Sequence, residues 1–416
     1  MCNFLTNVLQ SLTMSLTVKL SLWAFLAFVS SVVATNNFKF ELIERNSMDD
    51  LRLKVTFPDN NEDAMMLERF YLNPTEKLNR IEKCRFVGHL ESNAKSSIAL
   101  TGCIGSEDVL ITILSSKPFI QKMFLWKLDG KIEELKEDFE DLMREDDNEE
   151  DEPDDEDEIE TPDSVIDKKH CALELEGNIE GLIPPELTLE VTVHYEDNFL
   201  AAYAGDHDEA VATIEATLTH SQAFFYAESL QTRINLRTNG NITYWPDQRM
   251  VAQGKFMGQF RDLLRANADK VPDADAHVLF TSHGYLKQLG VAPDDLPAVD
   301  NIAGMANLGN VCAANYGSRT IVERGKGNSG MGMIRILLHE LGHNLGMGHN
   351  GAYEKKIEGV PAGICKTNKP SRPIMRYISD DWVPYDLTWT ICNRCDLLRN
   401  FHKKMIKSGE YCLDKP

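Results

Sequence analysis

"HELGHNLGMGHN", residues 339–350, sets three histidines and one glutamate within eleven residues. On a helix, side chains four residues apart lie one above the other on one face, so His339 and His343 can aim both imidazoles at a single ion. Glu340 is turned about 100° from His339 around the helix axis. That places it outside the same ligand shell but within reach of a water beside the ion. His349 lies beyond the helix, and its ring returns only if the chain bends sharply after Leu345. Gly346 can take the left-handed conformation such a bend requires. Three neutral nitrogen donors with one position left open suit a catalytic zinc, whereas a structural zinc would be closed by a fourth protein ligand. Surface or core histidines at a helix end would account for a pair four apart. They do not account for five fixed positions on a helix that stops in the right place.

Working outward, "GMGMIRILLHELGHNLGMGH" (330–349) repeats apolar residues at three- and four-residue steps: Ile334, Leu337, Leu338, Leu341 and Leu345. They form a core-facing stripe, with Gly346 as the stop signal. Upstream, "LTLEVTVHY" reads as a strand. "DEAVATIEATLTHSQAFFYAESL" reads as a long helix with Val211, Ile214, Leu218 and Phe225 on one face. "RINLRTNGNITYW" suggests further strand with a turn, "KFMGQFRDLLRANA" a helix burying Phe256, Phe260 and Leu263, and "HVLFT" a short buried strand. Near the end, "DLLRNFHKKMI" predicts a helix burying Leu397, Leu398, Phe401 and Met405. Strands alternating with helices indicate a layered α/β domain over 187–416. Residues 35–144 instead alternate short apolar runs with turns ("LRLKVTF", "SSIALTGC", "VLITILSS", "FLWKL") and read as a β-rich unit.

Between the two, Glu145–Glu160 reads EDDNEEDEPDDEDEIE. It repels itself and has almost nothing to bury, so 145–186 is expected to be a disordered acidic linker. The whole chain has 416 residues and a formal charge of −22, with no basic footprint for nucleic acid. "KLSLWAFLAFVSSVVA" has a basic start, an apolar run and small residues at Val32 and Ala34. It reads as a secretory signal peptide over 1–34, too short for the roughly 20-residue bilayer span. Translation starting at Met14 would give a leader of more usual length. No membrane anchor is expected. Eight cysteines then remain outside the leader, in keeping with an oxidising compartment. Asn241-Ile242-Thr243 is a sequon, so Asn241 is a candidate glycosylation site. His89, His170, His194, His207, His220, His277, His283 and His402 lack ligand spacing and are expected in ordinary surface or hydrogen-bonded roles.

The motif His339–His349 resembles the extended zinc signature of the metzincin endopeptidases, and "HELGHNLGMGH" is similar in particular to the adamalysin (reprolysin) branch that includes snake-venom metalloproteases and the ADAM proteases. "RPIMRYIS" supplies Met375 for the methionine turn that lies beneath the zinc in that family. "CRFVGHLESNAKSSIALTGCIG" resembles its pro-domain, and "WTICNRCDLLRNFHKKMIKSGEYCLDKP" its closing helix and final cysteine. The resemblance implies a metzincin-type catalytic domain, with a twisted mixed sheet, long helices and a zinc helix ending in a glycine turn, preceded by a β-rich pro-domain. With nothing resembling a disintegrin domain, it implies the short secreted form.

The same resemblance implies the disulfides Cys84–Cys103, Cys312–Cys412 and Cys365–Cys392. It implies a pro-domain cysteine that fills the open zinc position in the latent enzyme, for which Cys171 lies in the right region, although "HCALELEG" departs from the family's switch segment. Pairing of Cys171 with Cys395, or competition of Cys395 with Cys392, stays open beside that reading. Calcium is a further implied cofactor, with Glu190, Asp275 and Asp414 near the family's positions. Asn350 stands where the branch commonly has aspartate, and no furin-type site precedes the catalytic domain, Lys168-Lys169 being the nearest basic pair.

The expected function is a secreted zinc endopeptidase made as a zymogen and acting as a monomer. His339, His343 and His349 would hold zinc, Glu340 would serve as general base, and the pro-domain would be its inhibitor. The substrate would be an extended protein segment lying along an edge strand near "SRTIVER", with the pocket shaped by "ISDDWVPYD" after Met375. The alternative is a catalytically silent relative acting as an extracellular binding module. Retention of Glu340 and all three histidines weighs against it.

Overall fold

The computed structural model describes residues 38–44, 49–72, 84–104, 108–116, 119–134, 186–230, 232–246, 256–282, 304–324, 330–349, 372–375, 387–408 and 413. The leader, the acidic linker, Lys168-Lys169, Cys171, Asn350, Cys365, the ISDDWVPYD loop, Cys412 and Asp414 lie outside these residues. Among the described residues no helix is long and apolar enough to cross a membrane.

The N-terminal part is an antiparallel meander of eight strands: β1 (Lys39–Glu44), β2 (Asp50–Thr56), β3 (Glu62–Arg69), β4 (Arg85–Leu90), β5 (Asn93–Thr101), β6 (Val109–Ser116), β7 (Phe119–Trp126) and β8 (Ile132–Glu134), each paired with the next. The sheet curls on itself, because the rings of Phe38 and Phe40 at the first strand meet Phe124 on the seventh. Strand alternation then sends Ile98, Leu100, Ile111 and Ile113 into this sheet's own core. The intervening residues point the other way. Ala99, Leu114 and Met123 join the core of the second part.

The second part is a mixed sheet built from β9 (Glu186–Glu196), β10 (Arg233–Thr238), β11 (Thr243–Trp245), β12 (Ala276–Thr281), β13 (Gly304–Ala306) and β14 (Arg319–Glu323), in the order β10-β9-β12-β14-β13 with β11 also paired to β9. Among the described residues all pairings of this sheet are parallel except β13 with β14, which is antiparallel and puts β13 at the edge. The helices are α1 (Asp197–Ala201), α2 (His207–Phe225), α3 (Phe256–Ala266), α4 (Gly330–Asn344) and α5 (Ile391–Ser408). A short pair, β15 (Arg372–Pro373) and β16 (Leu387–Thr388), holds the turn at Ile374-Met375.

Helix α2 begins at Asp206, whose carboxylate accepts the Glu209 N–H as a helix cap. The stripe expected from its sequence holds: Ile214, Leu218 and Phe225 are fully buried and Val211 partly so. The opposite face is buried too, because the N-terminal sheet lies on it. His220 is fully buried there, its ring nitrogens bonded to Thr112 Oγ1 at 2.8 Å and Thr101 Oγ1 at 2.9 Å on the meander. Burial holds it neutral, its pKa pushed down to about 3. Arg85 meets Glu215 at 3.6 Å in the same contact, and the Thr238 N–H donates to the Leu72 carbonyl.

Two expectations need correction. The "SRTIVER" segment is β14, which is buried between β12 and β13, so it is not an edge. In α3 the residue fully buried beside Phe260 is Leu264, while Leu263 is only partly covered. A step of four rather than three from Phe260 aligns better with the helix face that meets β14. In α5, Leu397, Leu398 and Phe401 are buried as expected.

Candidate metal centre

Helix α4 buries Ile334, Leu337, Leu338 and Leu341, and Leu345 just past its last turn, against α2 and the sheet. The stripe fixes which face its histidines present. The helix ends in a Schellman arrangement: Gly346 N–H donates to the His343 carbonyl and Met347 N–H to the Gly342 carbonyl, both at 2.9 Å, with Gly346 at φ +98°. A side chain at that φ would be strained, which explains the glycine. The reversal returns His349 to the helix.

The Nε2 atoms of His339, His343 and His349 lie 2.9–3.1 Å from one another. His339 Nδ1 donates to the Ile374 carbonyl and His343 Nδ1 to the Met347 carbonyl, each at 2.8 Å. A carbonyl can only accept, so both Nδ1 atoms carry the proton and both Nε2 atoms present lone pairs. Lone pairs converging at this distance repel unless a cation lies among them. The spacing is within a few tenths of the about 3.3 Å that zinc–nitrogen bonds near 2.05 Å at tetrahedral angles would give. These are the residues that could hold a metal ion, and among the described residues they form the one such group of three. Burial favours the neutral, ligating form. His339 is pushed down to about 3 and His343 to about 4, chiefly by desolvation with help from neighbouring rings, and His349 is lowered by burial as well.

The turn expected beneath the site is present. Met375 is fully buried, and a Cβ on Gly342 would lie 2.5 Å from its Sδ. The glycine therefore lets the helix settle on the methionine directly between the two ligand histidines. Ile374 adds the carbonyl that orients His339. Trp389 packs beside Met375 at the same Gly342, its indole N–H donating to the Phe224 carbonyl at 2.8 Å.

Glu340 is 6% exposed and takes no part in the histidine group. Burial alone pushes its carboxyl up to about 8. Its Cγ and Oε1 lie against Gly304 on the edge strand, where an added Cβ would come within 2.7 Å of both.

Cys84 and Cys103 are disulfide-bonded. Cys312, Cys392 and Cys395 are disulfide-bonded as well. Cys412 and Cys365, the partners expected for the first two, lie outside the described residues. Glu190 and Asp275 stand side by side on β9 and at the start of β12, but the Asp275 carboxylate accepts the Glu190 backbone N–H at 2.9 Å, and Asp414 is outside the described residues. Asn241 is exposed. His194 and His277 are buried and linked through the Thr192 hydroxyl.

Sequence reading missed Asn344. It sits between the second histidine and the turn and points away from the ligands, taking the Ser318 hydroxyl on its Oδ1 and donating Nδ2 to the Arg319 carbonyl and Thr320 Oγ1. It thereby ties the end of α4 to β14. A polar residue on the buried side of an amphipathic helix was the available signal.

Residues 187–385 match the Reprolysin_5 family model, described as Metallo-peptidase family M12. No curated protein matches the chain. The matched span contains the three histidines, Glu340 and Met375. It supports a reprolysin-like zinc metalloprotease domain of metzincin-like α/β fold.

Proposed function

We propose that the protein is a secreted zinc-dependent endopeptidase, made as a zymogen, in which His339, His343 and His349 hold the ion. The observation that carries this reading is the convergence of three imidazole Nε2 atoms, two of them fixed as acceptors by backbone carbonyls, beside a buried carboxylate and the strand that ends the sheet among the described residues. Bound zinc would supply Lewis-acid polarisation of the scissile carbonyl and lower the pKa of water to about 7. Glu340 takes the proton of the attacking water and delivers it to the departing amine nitrogen. Desolvation raises the proton affinity of this carboxylate, and the positive charge of a bound zinc would oppose that shift and hold it ionised until it takes the proton. The backbone of Gly304–Ala306, which among the described residues pairs only with β14, receives the peptide as an added antiparallel strand beside Glu340. The β-meander is the pro-domain, and α2 is the surface it grips. With Cys395 disulfide-bonded and Cys412 and Cys365 assigned to Cys312 and Cys392, the pairing of Cys171 with Cys395 replaces the zinc-blocking role of Cys171 in this proposal. A calcium ion at Glu190, Asp275 and Asp414, glycosylation at Asn241 and a monomeric state also belong to it.

Incubation of the activated chain with an unfolded protein substrate tests the reading. We expect cleavage that a chelator abolishes and zinc restores, and that Glu340→Ala removes while leaving one zinc bound. Cleavage at the parent rate by Glu340→Ala would overturn it.

A further inference from the structure

Beyond the ligands themselves, we propose that α5 is the positioning device for the third ligand, with Asp396 and Asn400 locking the turn that delivers His349. The inference rests on the metal reading above. Asn393, Asp396 and Asn400 are spaced by three and four residues and so share one face of α5. All three touch the backbone between Leu345 and Gly348. Asp396 Oδ2 accepts the Gly348 N–H at 3.0 Å, Asn400 Nδ2 donates to the Leu345 carbonyl at 3.0 Å, and Asn393 Nδ2 reaches the Gly348 carbonyl at 3.4 Å. Asn393 is fully buried and Asp396 nearly so, and Arg399 faces the Asp396 carboxylate at 3.5 Å.

The fit is close. A Cβ on Gly346 would lie 2.6 Å from Asn400 Cβ, so the turn and the helix can approach only because Gly346 has no side chain. Asn400 Oδ1 also lies 3.3 Å from where a Cβ on Gly309 would stand, and the Gly309 N–H donates to the His343 carbonyl at 2.7 Å. One side chain therefore contacts both the segment carrying His349 and the segment leaving the edge strand. His339 and His343 need no such help, since α4 fixes them. His349 has only a four-residue connection, and without the α5 contacts that connection has many conformations.

Groups that orient metal ligands from behind typically change metal affinity 10–100-fold when removed. The test is competition for zinc between the full chain and a chelating dye, with the thermal midpoint of the zinc-free protein as the control for folding. Asp396→Ala and Asn400→Asp should each weaken zinc binding at least tenfold and speed zinc release, with the zinc-free midpoint little changed. Asp396→Asn, which keeps an acceptor oxygen for the Gly348 N–H, should bind zinc within about threefold of the parent. Asn400→Asp is nearly isosteric, so it removes the donor to the Leu345 carbonyl without opening a cavity as Asn400→Ala would. A zinc-loaded parent whose affinity is unchanged in both Asp396→Ala and Asn400→Asp would overturn the inference. A parent that takes up no zinc would overturn the metal reading instead, so the two failures are distinct.

Discussion

Gly304 and Glu340 are in direct contact: the edge strand lies against the glutamate so closely that a Cβ on Gly304 would come within 2.7 Å of Glu340 Cγ and Oε1 and of Ile336 Cγ2. The backbone proposed to bind the peptide and the carboxylate proposed to move its proton are therefore in fixed register. Two segments 36 residues apart in sequence, Gly304 and Glu340, share one small volume.

The first prediction is that Gly304→Ala lowers kcat at least tenfold with little change in KM or zinc content, because the methyl group displaces the carboxylate rather than the strand. The same substitution should cost less in a Glu340→Asp background, whose side chain is one methylene shorter. Equal costs in the two backgrounds, measured by steady-state kinetics, would argue that Gly304 acts on something else.

A second prediction concerns the floor of the site. Gly342→Ala places a Cβ 2.5 Å from Met375 Sδ and should destabilise the protein by about 1–3 kcal/mol, the usual range for overpacking. Met375→Ala in the same chain should relieve part of that cost. Urea denaturation of the four proteins of this cycle measures the coupling, and strictly additive effects would contradict the contact.

A third prediction is acid sensitivity below neutral pH. His194 and His220 are pushed down to about 3 and His277 to about 4, all mainly by burial, so the native state keeps them neutral where the unfolded chain, with pKa near 6.5, protonates them. Glu196 opposes this, since burial pushes it up to about 7 and the native state holds a proton there that the unfolded chain has lost. Counting these four groups alone, between pH about 4.5 and 6.5 the unfolded state binds about three minus one, or two, more protons than the native state, and the lowered histidines of the metal site add to that difference while Glu340 opposes it. The four groups alone should make stability rise with pH across that window by about 3 kcal/mol per unit and fall as the medium is acidified. His220→Gln should reduce the slope by about one proton. A slope unchanged by that substitution, in urea midpoints measured from pH 4.5 to 7, would contradict the assignment.

A fourth prediction tests the interface on α2. Because Thr101 and Thr112 satisfy His220, a chain beginning near residue 187 exposes that histidine, Glu215 and the neighbouring apolar surface. Mixing the separately produced 35–144 segment with the 187–416 segment should give a complex detectable by size-exclusion chromatography. His220→Ala and Glu215→Ala together should weaken it at least tenfold, and unaltered association would show that the contact is incidental.

How much of this was legible in the sequence follows from how local each signal is. The α4 stripe, the i and i+4 histidines and the Gly346 stop are all encoded within one helix and one turn, and the structure reproduces them. Met375 could be recognised only by resemblance, since its contact with Gly342 spans more than thirty residues. The edge strand β13 is three residues long and has no alternation to reveal it, so the more apolar β14 looked like the edge. Helix α2 shows one apolar stripe, yet its other face is buried through Thr217, His220 and Ser221, polar residues that read as solvent-facing until their partners on another sheet are seen. Asp396 and Asn400 act on a turn about fifty residues away, which no periodicity reports.

The most direct measurement of the central claim is X-ray absorption at the zinc edge on the purified full-length chain. The account predicts one tightly held zinc per chain with three imidazole nitrogens at about 2.0–2.1 Å. A chain that retains no zinc, or one whose spectrum requires fewer than three imidazoles, would contradict it.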